Sequence, residues 1–241
     1  MNRQAQAVVM LLLGGAVLKA SLGDLYLRYV KEGLRPFLIG ASLLLVAAAV
    51  MTLWYELRRR TDPVDEHHDH GHGGAHREPR VGWLLILPVL GLLLVAPPAL
   101  GSYAAGQSGT ALGSGQTSDF PPLPGGDPAN ISVLDYASRA VFEGGRSIGD
   151  RRVKLVGFIL IEPGGAQYLA RIVLSCCAAD GRPVKVAMSG DAPAGLASDT
   201  WVEVVGRYSD RTTTDPVNGE KIPFLEVVEW HEIAAPKNPY E

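Results

Sequence analysis

The sequence predicts a helical membrane anchor followed by a small all-β domain, best matched to a barrel of the OB type. Three observations predict it. Two long uncharged apolar stretches lie in the first hundred residues, at Phe37–Trp54 and Val81–Leu100. A Gly/Ser/Pro-rich stretch, 101–129, follows them without apolar periodicity. Five short β-rich runs separated by turn clusters then fill the remainder.

The chain has 241 residues, of which 47% are hydrophobic and 20% charged, with a net charge of −3. Its two cysteines are adjacent, Cys176 and Cys177, which excludes a disulfide scaffold. Acidic residues outnumber Lys and Arg, so a basic nucleic-acid protein is excluded as a class.

Phe37–Trp54 is 18 residues long and Val81–Leu100 is 20. As helices, each is about long enough for a hydrocarbon layer of roughly 30 Å. Neither shows the polar face of a core helix in a soluble protein. An earlier segment, Gln4–Leu18, is also uncharged and is followed by Lys19. It reads as a first, short membrane helix, because VLKASLGD is a poor cleavage site. If it is cleaved as a signal peptide, two helices remain instead of three. Arg3, Arg58, Arg59, Arg60, Arg77 and Arg80 fall on one side of this arrangement, and Arg28, Lys31 and Arg35 on the other. The excess of positive charge predicts a cytoplasmic loop at 57–80 and an extracytoplasmic C-terminal domain on a multi-pass protein of the cell membrane.

The predicted organisation is therefore a transmembrane region over 1–100, a flexible linker over 101–129 and an extracytoplasmic β-domain over 130–241. The domain opens with a helix at Ile131–Phe142, capped by Ser132 with Asp135 three residues on. Strands are expected at Arg152–Ile161, Tyr168–Ser175, Pro183–Ser189, Trp201–Tyr208 and Phe224–Ile233. Gly206, inside WVEVVGRY, marks a bulge or bend of the kind small barrels use. A β-sandwich is the competing arrangement. OB barrels often bind nucleic acid, but from Asp127 onward there are 16 acidic and 12 basic residues, the wrong balance for phosphate.

Two constellations can carry chemistry. The predicted cytoplasmic loop holds His67, His68, His70, His72 and His76, with Asp62, Asp65, Glu66 and Asp69 close by. Imidazoles bind zinc and other transition metals, and carboxylates can complete the shell. The intervening glycines suit adaptable capture or sensing, and a plain solvated loop is the alternative. The second constellation is Cys176, Cys177 and Asp180, after Arg171 at the end of a predicted strand. Adjacent residues on a strand point to opposite faces, so both thiols can hold one ion only if the strand ends or bulges there. Three fates stay open: core packing, a vicinal disulfide, or thiolate binding of a soft metal with Asp180 or His231 nearby. His231, between Trp230 and Glu232, reads as a surface or strand-edge residue. There is no nucleophile elbow, phosphate loop, HExxH or Ser/His/Asp pattern, so no enzyme is expected.

This order of parts resembles the YcgQ-type family. The specific residues are Arg171, Cys176, Cys177, Ala179 and Asp180 in YLARIVLSCCAADGRP, similar to that family's R-x4-CC-x-A-D signature. GRRVKLVGFIL and WVEVVGRY sit where the family has its strands, and Gly181 stands where Ala is expected. The resemblance implies the small subunit of a two-component permease whose other component is a polytopic permease of the YcgR type, associated with zinc-responsive regulation. On this reading the protein is an accessory subunit in metal homeostasis, set in the lipid bilayer. Arg171, Cys176, Cys177 and Asp180 would face partner or cargo. A stand-alone metal buffer or sensor is the alternative, and a cell-surface thiol-redox protein a third reading.

Overall fold

A computed structural model describes residues 3–59, 91, 98–112 and 120–241. They fall into two compact parts: a helical part, within 1–26 and 32–98, and a β-domain formed by 99–241 together with the short segment Leu27–Lys31.

The helical part contains α1 (Arg3–Leu22) and α2 (Arg35–Arg59). Gly23 follows α1, as suits a helix C-terminus, and Pro36 stands in the first turn of α2. Arg35 closes the end of α1: its Nε donates to the Ser21 carbonyl at 3.0 Å and Nη2 to that of Leu22 at 3.4 Å. The helices meet along small residues, with Ala7, Gly14 and Ser21 buried on α1 and Ser42 and Ala49 on α2. Large apolar side chains, among them Phe37, Leu44 and Met51, are exposed on α2. Among the described residues one helix, Glu32–Arg58, is long and apolar enough to cross a membrane. The apolar run in α1, Gln6–Leu22, is shorter. Most of Val81–Leu100 lies outside the described residues.

The β-domain is a five-stranded barrel. Its strands are β2 (Val153–Ile161), β3 (Gln167–Val173), β4 (Arg182–Gly190), β5 (Trp201–Thr214) and β6 (Lys221–Glu232). The order around the sheet is β2-β3-β4-β6-β5, and a β2–β5 pairing closes it, so the sandwich alternative is not what forms. All these pairs are antiparallel except β4–β6. A two-residue strand, β1 (Ala129–Asn130), adds parallel to the start of β2.

Barrel closure demands tight curvature, and glycines supply it. A Cβ at Gly157 would lie 2.7 Å from the Ala170 carbonyl oxygen, and one at Gly206 2.6 Å from that of Glu226. The β5–β6 register shifts between Val205 and Gly206, which is the bulge expected at that glycine.

The core has two sides. Inside the barrel, Leu155, Ile159, Leu169, Val184, Val186, Val202, Val204, Leu225 and Val227 pack together with Val133, Tyr136, Ala137 and Ala140 of α4 (Val133–Phe142). This helix touches all five barrel strands, so it sits across one end. Its cap is Ser132, whose Oγ accepts from the Asp135 N–H at 2.9 Å. Outside the barrel, Phe158, Leu160, Tyr168, Ala170, Ile172 and Ala187 are covered by Ala105 of α3 (Ser102–Gln107) and by Tyr240. The stretch expected to be a linker thus contributes to the domain: Ala105, Thr110, Leu112, Leu123 and Ala129 are all buried.

Candidate metal centre

The site grows from the place where β3 stops. The strand ends at Val173, which pairs with Arg182 at the start of β4, and the intervening residues 174–181 form the hairpin loop. Cys176 and Cys177 therefore lie beyond the ladder, where the opposite-faces rule no longer separates them. Asp180 shapes this loop from within. Its Oδ1 accepts the Ser175 N–H at 2.8 Å, while Oδ2 accepts those of Cys176 at 2.8 Å and Cys177 at 3.2 Å. A 3-10 turn over Ala178–Asp180 follows, with the Asp180 N–H bonded to the Cys177 carbonyl at 3.0 Å.

The result is convergence. The two thiol sulfurs and a carboxylate oxygen of Asp180 all lie within 4.8 Å of one another. Cys176 is exposed, and Cys177 and Asp180 are half-buried, so an ion can reach them. Four ligands around tetrahedral zinc, with Zn–S about 2.3 Å, sit roughly 3.5–4 Å apart. The 4.8 Å span of these three groups is compatible with that range, with a fourth position left for an exogenous ligand. Zinc, or another thiophilic ion, fits two thiolates and a carboxylate by donor type.

Both cysteines are free thiols. The Asp180 carboxylate accepts the Cys176 S–H, and with the adjacent Cys177 thiol this pushes the Cys176 pKa up to about 11. The same hydrogen bond, with the backbone N–H groups, holds Asp180 well below the ordinary carboxylate range. A thiol-redox centre needs the opposite, a thiol with a lowered pKa.

A second wall of the site comes from a segment distant in sequence. Val30 bridges antiparallel to Cys177, the Lys31 N–H donates to the Cys176 carbonyl at 3.0 Å, and the Ala178 N–H donates to that of Tyr29 at 2.7 Å. On another side Asp180 borders an open groove of about 430 Å³, lined by Ser108–Ala111, Ala179–Arg182 and Asn218.

The remaining predicted site residues fall elsewhere. Arg171 is buried and holds the C-terminal segment: Nη2 donates to the Asn238 carbonyl at 2.9 Å, Glu241 lies 3.8 Å from Nε, and the guanidinium stacks 4.8 Å from the Trp201 ring centroid. Its partners are those of a residue that ties β3 to the C-terminal segment, whereas the resemblance would group it with the cysteines. His231 is exposed on β6 and paired across the ladder with Glu203 at 3.2 Å, as a strand-edge histidine would be. His67, His68, His70, His72 and His76 lie outside the described residues. Sequence reasoning missed Tyr29–Lys31 and Tyr240. No local pattern announces a single bridge between positions nearly 150 residues apart.

Residues 146–241 match the family model described as the DUF1980 C-terminal domain, which takes in the barrel and the whole Cys-Cys-Asp loop. Neither the curated proteins nor the solved structures provide a match to the chain.

Proposed function

We propose that the protein is a membrane-anchored metal-handling subunit of a permease, whose barrel takes up a thiophilic divalent ion such as zinc at Cys176, Cys177 and Asp180. The observation that carries this reading is the convergence of two sulfurs and a carboxylate oxygen within 4.8 Å at an accessible loop. Three protein ligands with an open fourth position suit an ion that must be handed on, whereas a structural site is normally closed by four. The five-stranded barrel, closed through β2–β5 with one parallel pair among its strands, supports the OB-type reading, a scaffold whose loops commonly carry binding sites. Among the described residues, one sufficiently long apolar helix near the N-terminus supports anchoring in the cell membrane. Among the described residues the helix surface is apolar and exposed, which favours a polytopic partner such as a YcgR-type permease as the source of any ion pathway. The His-rich loop captures or senses metal on the cytoplasmic side. No reaction is assigned to the chain itself.

The test is direct. The full chain in mild detergent, titrated with zinc, should bind one ion per β-domain, and Cys176→Ser/Cys177→Ser should weaken that site by on the order of 100-fold or more, beyond what outer-shell changes cost. Equal binding by wild type and the double variant would sink the loop site. Co-purification from native membranes then separates two roles. A stoichiometric polytopic partner supports the permease subunit, and metal-loaded protein without one supports a stand-alone buffer or sensor.

A further inference from the structure

The loop that carries the cysteines is held by a short bridging segment foreign to the barrel, and that segment lies between the two helices in sequence. We propose that metal occupancy of Cys176, Cys177 and Asp180 is coupled to docking of Tyr29–Lys31, so that the site passes its state to the segment joining α1 to α2. This rests on the metal-site reading above and adds a direction for the signal.

The backbone groups that bind Tyr29–Lys31 are those of the ligand residues and their neighbours. The Cys176 carbonyl takes the Lys31 N–H, and the amide just after Cys177, that of Ala178, donates to Tyr29. The Lys31 ammonium adds a bond to the Leu174 carbonyl at 3.3 Å. The three ligand atoms lie within 4.8 Å of one another, and holding them at the roughly 3.5–4 Å that one ion requires fixes the side chains carried by this same backbone, so the ion and Tyr29–Lys31 both draw on one short loop.

Beside this loop there is a fixed point. The Tyr240 hydroxyl donates to the Arg28 carbonyl at 3.0 Å and accepts the Leu100 N–H at 2.8 Å. Tyr240 is itself bolted to β3, through its bridge to Ile172 and through the Glu241 N–H bonded to the Ile172 carbonyl at 2.9 Å. Arg28 is thus pinned while Tyr29–Lys31 follows the cysteine loop. Beyond Lys31 only a 3-10 turn, Glu32–Leu34, precedes α2. A displacement at Lys31 enters a helix terminus within four residues. Coupling of this kind is reciprocal: whatever docking adds to metal affinity, metal adds to docking.

The experiment uses the full chain in detergent and cadmium, whose thiolate absorption counts bound ions. Lys31→Pro removes the backbone donor to Cys176 while keeping residue 30 extended. Lys31→Ala keeps the donor and removes only the ammonium. Cadmium affinity should fall about 3- to 10-fold in Lys31→Pro, the equivalent of one backbone hydrogen bond, and less than about 2-fold in Lys31→Ala. In unmutated protein, cadmium should slow hydrogen exchange at the Lys31 and Ala178 amides by a comparable factor, a readout that needs no variant. Unchanged affinity in Lys31→Pro together with exchange indifferent to cadmium overturns the coupling and leaves the metal site standing. Failure of wild type to bind cadmium overturns both.

Discussion

Lys185 shows how much a single residue can depend on what covers it. In RPVKVAM it alternates out of the barrel, between Val184 and Val186, which point in. A sequence reader would give it to solvent, yet it is wholly buried, because residues 108–112 lie over that face. Its ammonium pairs with Glu162 at 2.9 Å and Asp215 at 3.0 Å, and Thr110 donates its N–H to Asp215 at 2.8 Å. Burial works against ionised Asp215, but bonds from Val217, Lys185 and Thr110 prevail and keep its pKa below the ordinary value. Lys185→Met strands two carboxylates in a buried site, and we expect urea denaturation to show a loss of about 3–5 kcal/mol. Replacing Lys185, Glu162 and Asp215 together with apolar residues should recover most of it. Glu241 has the opposite sign. Burial raises its pKa above 4.5, although the Val133 and Leu134 N–H groups and Arg171 favour the anion. The folded state therefore binds this proton more readily than the unfolded chain. Its contribution to stability grows as pH falls from the folded pKa toward 4.5, and is lost as pH rises through that window. The stability difference between wild type and Glu241→Gln, followed with pH, should move in wild type's favour on acidification; a flat difference would contradict the assignment.

At the scale of elements, the barrel was largely legible and its covering was not. β2, β3 and β4 stand within two residues of the runs that alternation and turn residues predict, since a half-buried strand writes its period into its own composition. β5 and β6 run on to Thr214 and back to Lys221, beyond what was expected. The extra rungs, Thr212–Thr214 against Pro223–Lys221, are a hairpin whose polar sequence carries no alternation. α4 was legible from its cap. α3 was not, because SYAAGQ owes its helix to docking of Ala105 on Phe158 and Leu160 rather than to propensity. The loop chemistry divides in the same way: the cysteines and Asp180 could be named from spacing, but their convergence depends on β3 ending two residues early. The helix pair carries a signal that went unread, since Ala7, Gly14 and Ser21 recur every seven residues, as do Ser42 and Ala49. Such a seam of small residues lets helices approach closely in lipid. A Cβ at Gly14 would lie 2.9 Å from Val46 Cγ2 and 3.1 Å from the Ser42 carbonyl oxygen, while one at Gly15 would meet nothing. Gly14→Leu should therefore cost the hairpin about 1–3 kcal/mol and raise its protease sensitivity in detergent, with Gly15→Leu close to neutral.

At the scale of the whole molecule, chain connectivity constrains topology more tightly than charge counting does. Leu27–Lys31 belongs to the β-domain, and so does everything from Ala99 onward. If α2 crosses the bilayer, the turn that joins it to α1 must face the same compartment as the barrel. The far end of α2, with Arg58 and Arg59, must then face the other. From the positive charge of the 57–80 loop, that other side is expected to be the cytoplasm. On the proposed function, that orientation would present the thiols to an arriving ion and the histidine tract to a delivered one. Labelling intact cells with a membrane-impermeant maleimide tests this. Cys176 is exposed and should be modified before lysis, and prior loading with zinc should protect it. In a Cys176→Ser/Cys177→Ser background, Arg59→Cys should resist the reagent until the membrane is opened. Labelling at residue 59 in intact cells, with the native cysteines protected by the membrane, would invert the molecule and move the thiol site to the cytoplasm. Labelling at both positions would mean that α2 does not span, and the permease-subunit reading would lose its anchor.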